Sequence, residues 1–592
     1  MPSSDTKYSD APRLACVVNP SGESSRGSSS ESSMKIGQIR SRQTGADLVA
    51  RILEAQGVTH AFGIPGAKID KVFDALVDSK IKTVVCRHEQ NAAFIAGGIG
   101  RMTGKAGVVI TTSGPGVSNL TTGLATASTE GDPVVALGGA VATTESLKRV
   151  HQALDAVSIL KPVTKFSATV GTADQLNEVL INAFRAAESG RPGAAYVNLP
   201  KDIMAATVEH DVLAPPRFSG SGPADGAAME EAARLIDAAD NPVVLLGLLA
   251  SKPVNAAAVQ EFVGWNNLPV VGTFQSAGAL GAHLLEQFGG RVGQLANQPA
   301  DRLLDSADLV ITIGYDPVEY PPSEWNGSSF RKLIHVDVVR SDLDNCYRPT
   351  VELQGDIAAT LKALTPQLKG RRDVGLSENI LRQIISHRDE LARESARLGG
   401  TPIHPMRLVH ELQPFLSTDI TLCLDMGSFH LWMARHLYSF KPRQILITNG
   451  QQTLGVALPW AIAASIVRPG EKVLSISGDG GFLFSAMELE TAVRLKANIV
   501  HMVWIDGTYD MVRVQEMLKY GRKSGVDFGP VDFVKYAEAF GATGLMIRSP
   551  EEITPVLKRA LDHRGGPVLI GVHVDYRDNH KIFEMVNEDS FH

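Results

Sequence analysis

The chain has 592 residues, 44% of them hydrophobic and 20% charged, with a formal net charge of −7. This is globular composition with room for about three or four domains. It excludes a nucleic-acid binder, which would carry basic blocks, and no apolar run reaches the ~18 residues of a membrane span.

Residues 1–42 stand apart: eight of the thirteen positions 21–33 are serine. Such a stretch buries too little apolar surface to order itself and is expected to be a disordered tail. Four dispersed cysteines, Cys16, Cys86, Cys346 and Cys423, form no CxxC pair. That argues against a disulfide framework or zinc site and for a reducing compartment, the cytoplasm.

From Thr44 the pattern changes. A helix is predicted over 44–53, then strands over 59–62, 83–86, 106–111 and 134–137, with helices over 89–103 and after Gly116. This first block spans 43–205. A Pro-, Gly- and Ser-rich linker at 205–224 leads to a second block, 225–365, with apolar strands at 242–249, 269–272, 309–314 and 333–338. A charged connector with one helix follows at 366–405. The third block, 403–580, carries strands at 421–424, 473–477, 499–505 and 567–574. Alternating strands and helices predict an α/β fold of three doubly wound parallel-sheet domains.

Several strand ends carry polar or glycine-rich turns. Arg87-His88-Glu89-Gln90 opens a helix rich in small residues, where an isolated Glu ordinarily reads as a solvated helix-start charge. Thr112-Ser113-Gly114-Pro115-Gly116 reads as an ordinary turn. In the third block, Asp425-Met426-Gly427-Ser428-Phe429 follows one strand, and Asn449 to Gly455 forms a second glycine-containing loop. Gly478-Asp479-Gly480-Gly481 ends another strand. Glycines there let phosphate oxygens approach backbone N–H groups. Asp479 can give one hard oxygen to Mg²⁺, Asp506 at the end of the next strand a second, and the carbonyl of Thr508 a third. Diphosphate and water would complete the roughly six-coordinate shell.

The GDG of 478–480 with an acidic residue some two dozen positions on resembles the signature of thiamine-diphosphate (ThDP) enzymes. FGIPGAKIDK at 62–71, His151-Gln152, YDPVEY at 315–320, and Tyr509-Asp510-Met511-Val512 with Gln515 are similar to the catabolic, FAD-independent α-acetolactate synthases within that family. The likeness runs over 44–578. It implies a pyrimidine-binding domain, a central domain and a diphosphate-binding domain, in that order. The implied activity is a transferase reaction: decarboxylating condensation of two pyruvates to 2-acetolactate, with ThDP as electron sink.

The same resemblance assigns residues. Glu89 would bond the cofactor's aminopyrimidine nitrogen, so that the cofactor's own amino group can serve as base. Gly116 would approach the ring. Asp425, Met426, Gly427, Ser428, Phe429, Gln452 and Tyr509 would line the cofactor, with Gly478, Gly480 and Gly481 under the diphosphate. Leu454 would wedge between the two rings and hold them bent. Lys68, Gln152 and Gln515 are candidates to orient the acceptor keto acid. The active site is expected between subunits, hence a homodimer or homotetramer. A bound FAD is not expected, since the central block has no GxGxxG. The alternatives are a ThDP-dependent 2-keto acid decarboxylase or other carboligase, and a non-catalytic scaffold of the same fold. The decarboxylases typically carry a His-His pair, which this chain lacks.

Overall fold

The computed structural model describes residues 43–214, 220–327, 331–370, 375–417 and 419–583. The serine-rich tail and Cys16 lie outside the described residues, as does the middle of the 205–224 linker.

Three parallel six-stranded sheets carry the fold. The first runs β2-β1-β3-β4-β6-β5, with β1 His60–Ile64, β2 Lys82–Val85, β3 Gly107–Thr111, β4 Val134–Ala140, β5 Phe166–Thr169 and β6 Ala194–Pro200. The second runs β12-β11-β10-β7-β8-β9, with β7 Pro242–Leu246, β8 Val270–Thr273, β9 Phe288–Val292, β10 Leu309–Ile313, β11 Lys332–Asp337 and β12 Val351–Gln354. The third runs β14-β13-β15-β16-β18-β17, with β13 Ile420–Leu424, β14 Ile445–Ile447, β15 Lys472–Gly478, β16 Ile499–Ile505, β17 Thr543–Ile547 and β18 Val568–His573. Central strands are buried throughout, as β3, β7 and β10 show. Strands covered on both faces read as continuous apolar runs, which is why the sequence displays them. The three-domain α/β expectation holds. One run differs: the apolar segment 242–249 leaves the strand after Leu246, and Leu248–Ser251 forms a 3-10 turn. No helix among the described residues is long and apolar enough to cross a membrane.

The first and third domains share a hydrophobic core that includes Phe62, Phe94 and Val109 from one and Val456, Trp460 and Val473 from the other. Small residues make this possible. The helix Glu89–Thr103 lies against the helix Ala457–Val467, and a Cβ placed on Gly98 would stand 2.7 Å from Ala463 Cβ. Arg101 lies over the Trp460 ring at 4.4 Å and bonds Asp132 and Glu130, so its buried charge is paired.

In the middle domain the chain leaves β7 and β10 in opposite directions, which makes a crevice at their carboxyl ends. Glu319 fills it. Its carboxyl accepts from Leu248 N at 3.0 Å, Asp316 N at 3.1 Å and Thr273 Oγ1. Burial pushes the Glu319 carboxyl up to about 8, the hydrogen bonds opposing this only in part. A buried acid with a raised folded pKa favours the fold below its unfolded value, and that contribution is lost as pH rises toward 8. Glu319→Gln keeps the acceptor for Leu248 and Asp316 but cannot ionise. It is expected to match wild type near pH 4, below both values, to gain on it progressively as pH rises toward 8, and to be more stable at pH 9 by an amount of order a few kcal/mol. Parallel melting curves across that pH range would refute the assignment.

Candidate cofactor and metal site

Asp479 and Asp506 stand at the carboxyl ends of the neighbouring strands β15 and β16. Asp479 Oδ2 accepts from Gly507 N at 2.8 Å and Asp506 N at 3.3 Å, and its Oδ1 accepts from Gly480 N at 3.0 Å. Among the described residues Asp506 Oδ2 accepts only the Thr508 hydroxyl, at 2.7 Å. Burial raises the pKa of both carboxyls. For Asp506, pushed up to about 7, the charges of Asp479 and Asp510 add to the effect.

The segment after Asp506 is held in an extended conformation. Thr508 forms an antiparallel bridge with Asp527, through Tyr509 N to Val526 O and Phe528 N to Gly507 O. Backbone groups alternate along such a bridge, so the Thr508 carbonyl lies on the edge away from 526–528. Among the described residues no cluster of three or more His, Cys, Asp or Glu forms a complete metal cage. Two hard carboxylates plus one carbonyl, with the remaining positions left to diphosphate and water, suit Mg²⁺ rather than a metal held wholly by protein. The crowded pair gains from a cation between them, so the donor set fits. Gly480 must be glycine for a local reason: a Cβ there would stand 2.7 Å from the Tyr509 ring.

The expected lining residues divide into two kinds. Met426 and Gly427 lead into the helix Ser428–His436, which Ser428 and Phe429 begin, and Leu454, half-buried, packs toward Gly481. Gln452 is exposed and holds a positive φ of 49°. Asp425, by contrast, faces inward. It is fully buried and accepts from Met426 N at 2.9 Å and from Gly455 N at 2.8 and 3.0 Å. Burial pushes its carboxyl up to about 7. Asp425 therefore ties the 426–429 loop to the 449–455 loop from behind.

Glu89 begins its helix as expected, but buried rather than solvated, with 8% exposure. Its Oε2 accepts from Asn119 Nδ2 at 2.9 Å, and a Cβ on Gly116 would lie 3.4 Å from its Oε1. Glu488, from the third domain, fixes the turn before it by accepting from Arg87 N at 2.8 Å and His88 N at 3.0 Å. Gln152 lies against the same loop, accepting weakly from Ser113 Oγ at 3.4 Å with a positive φ of 60°. Non-glycine residues in this region are uncommon and gather at functional sites. Lys68 is half-buried, and no hydrogen bond or ion pair of its ammonium group occurs among the described residues. Gln515 shares a face of the helix Asp510–Tyr520 with Met511, one turn apart. The Glu89–Asn119–Gly116 cluster and the Asp479–Asp506 cluster make no direct hydrogen bond or ion pair with each other among the described residues.

Four residues were not anticipated: Asn119, Glu130, Glu488 and Asp510. Glu130 is fully buried and accepts from Thr448 Oγ1 at 2.9 Å and from Asn449 N and Gly450 N at 2.8 Å, with Gln275 of the middle domain as a further donor. It thereby fixes the start of the loop that carries Gln452 and Leu454. Asp510 accepts from Ser428 Oγ at 2.6 Å and from Asn579.

Comparison with known proteins agrees with this geometry. Residues 43–159 match the model described as thiamine pyrophosphate enzyme, N-terminal TPP binding domain; residues 229–364 match the central domain; residues 425–572 match the C-terminal TPP binding domain. The chain is 52% identical over 536 residues to a protein of Raoultella terrigena named "Acetolactate synthase, catabolic", covering 90% of this chain and 96% of that one. It is 49% identical over 541 residues to "Acetolactate synthase" of Bacillus subtilis (strain 168), covering 91% and 94%. With "Acetolactate synthase isozyme 2 large subunit" of Escherichia coli (strain K12) it shares 31% over 549 residues, covering 90% and 96%.

Proposed function

Because this chain belongs to the thiamine pyrophosphate enzymes, in the acetolactate synthase family, we propose that it condenses two pyruvate molecules to 2-acetolactate with release of CO₂. The observation that carries this reading is the pairing of a buried Glu89 in one domain with the Asp479–Asp506 carboxylates in another. When bound, ThDP supplies the electron sink that decarboxylation of a 2-keto acid needs.

The chain's own residues divide the remaining work. Asp479, Asp506 and the Thr508 carbonyl would hold Mg²⁺ and through it the diphosphate. Glu89, held by Asn119, would share a proton with the aminopyrimidine nitrogen. Leu454 would keep the two rings bent, on a loop that Asp425 and Glu130 fix. Lys68 offers a cation to the carboxylate of the acceptor pyruvate, and Gln152 and Gln515 offer amide donors. Met511 and Val512 give apolar wall beside a methyl group and help to limit water, which would otherwise quench the reaction by protonation.

The two half-sites would meet between subunits of a homodimer or homotetramer. Leu483, Phe484, Tyr509, Val512 and Met517 support this reading, since they are large apolar side chains left exposed on the segments that follow Asp479 and Asp506. Flavin has no part in the proposal. Glu319 places a carboxyl on the backbone N–H groups at the β7–β10 crevice, where a dinucleotide's phosphates would need to sit.

The test is product analysis. The chain incubated with pyruvate, ThDP and Mg²⁺, without flavin, is expected to yield one 2-acetolactate, measured as acetoin after acid treatment, for each CO₂ released. Free acetaldehyde in place of acetolactate would make it a decarboxylase. Stoichiometric flavin absorbance in the purified protein would overturn the flavin-free reading.

A further inference from the structure

A cavity of about 400 Å³ lies between the middle domain, the third domain and the long connecting helix Gly375–Ser395. The connecting helix lines it with Ile384, His387, Arg388, Leu391, Ala392 and Ser395. These positions are spaced by three and four, so one whole face of the helix overlooks the cavity. Leu285, Met406 and Val409 continue the apolar wall.

Three guanidinium groups converge on this wall, and their pairing is incomplete. Arg291 spends Nη1 on the carbonyls of Ala434 and Leu437, at 2.9 and 2.6 Å. Arg435 donates Nη2 to Asn297 Oδ1 at 3.0 Å, and its buried Nε has no hydrogen-bond partner. Arg388 lies over the Tyr438 ring at 5.6 Å, and its buried Nη1 also has no hydrogen-bond partner. Neither Arg291 nor Arg435 forms an ion pair with a carboxylate among the described residues. Asp389, the one carboxylate lining the cavity, stands at its rim, 62% exposed and 3.8 Å from Arg388. Burial lowers the Arg291 and Arg435 guanidinium pKa values to about 10, the mark of cations without adequate compensation.

Apolar walls ending in guanidinium groups whose charge no buried carboxylate balances match a molecule with an apolar body and one anionic head. We propose that this cavity binds an organic carboxylate, its head on Arg388 and Arg435 and its tail along the connecting helix. The site is separate from the cofactor and metal residues: no residue that lines it belongs to the Glu89 or Asp479 cluster.

The test is calorimetric titration of the ThDP- and Mg²⁺-loaded protein with sodium octanoate. Saturable binding at one site per chain is expected. Octanamide, which keeps the tail and lacks the charge, and inorganic phosphate, which keeps the charge and lacks the tail, are each expected to bind at least ~10-fold more weakly. Arg388→Gln should weaken octanoate by ~10-fold or more, and Arg388→Lys by less. Ala392→Trp, which fills the cavity from an exposed helix position, should abolish binding without changing the melting temperature of the loaded protein. Failure of octanoate to saturate, equal affinity for octanamide or for phosphate, or undiminished binding by the Ala392→Trp protein would each overturn the proposal.

Discussion

Glu89→Gln is expected to slow pyruvate turnover by about 10²- to 10⁴-fold, the range that general acid–base groups supply, while ThDP affinity stays within a few-fold of wild type. The substitution is nearly isosteric. Its amide oxygen can still accept from Asn119 Nδ2, and the turn that carries it is fixed through backbone bonds from Arg87 and His88 to Glu488, which the change does not touch. A glutamine at this position can donate a hydrogen bond to the cofactor's ring nitrogen but cannot exchange a proton with it. The loss should therefore appear in kcat, and in the rate at which the cofactor's C2 proton exchanges with deuterium, rather than in binding. Quenched-flow exchange read by NMR separates the outcomes: normal exchange with slow turnover would move the role of Glu89 to a later step, and normal turnover would remove it from catalysis. A companion change, Asn119→Ala, should give a smaller loss of the same kind, because it frees the carboxyl to rotate without removing it.

Most strands buried on both faces were legible in the sequence; the buried strand Ala194–Pro200 was not, and neither were five others. Phe166–Thr169, Phe288–Val292, Val351–Gln354, Ile445–Ile447 and Thr543–Ile547 all lie at sheet edges. Most are partly exposed along their length, as Phe166–Thr169 and Thr543–Ile547 show, and the strand at Ile445–Ile447 is only three residues long. An edge strand needs no continuous apolar run, so composition gives it no contrast with a loop. The site divides in the same way. Asp479 and Asp506 follow strands directly beside glycines, and Glu89 opens a helix of small residues shortly after a strand, local patterns that sequence can show. Asn119, Glu488 and Asp510 act through partners up to 401 residues away, and chain separation hides such pairs. Glu130 did leave a trace. It ends the helix Thr121–Glu130, where the helix dipole disfavours a carboxylate. An acidic residue at that unfavourable end is explained by the Thr448, Asn449 and Gly450 donors that meet it. Asp425 has a structural partner the sequence hides: it stands next to a cofactor loop, and the fold turns its carboxyl inward to accept from Gly455 N.

Asp506→Asn is expected to have opposite effects on the empty and the loaded protein, and that sign reversal makes it the sharper probe of the metal site. Asp479 is a poor choice for the experiment. Its two oxygens already accept from Gly480, Gly507 and Asp506 N–H groups, so an amide there would set N–H against N–H and disturb the loop for reasons unrelated to metal. Among the described residues the Asp506 carboxyl has only the Thr508 hydroxyl as a partner, which an asparagine oxygen accepts equally well. Without a cation, two carboxylates at adjacent strand ends, Asp479 buried and Asp506 half-buried, repel each other, and Asp510 adds to the strain. Removing one charge should leave the cofactor-free chain as stable as wild type or more so. With Mg²⁺ and ThDP present the balance inverts. Ligand held at a hundred times its dissociation constant adds about 2.7 kcal/mol to wild type, whereas the variant loses a hard anionic donor and at least ~10-fold in affinity, or ~1.4 kcal/mol. Scanning calorimetry with and without the two ligands reads both halves. A variant that melts lower than wild type in both conditions by the same amount would assign Asp506 to the scaffold, and magnesium would then need another anchor. A variant that melts no lower when empty, yet gains little from Mg²⁺ and ThDP, places the cation between these two side chains, because no purely structural role for Asp506 makes the ligand-free protein indifferent to losing it.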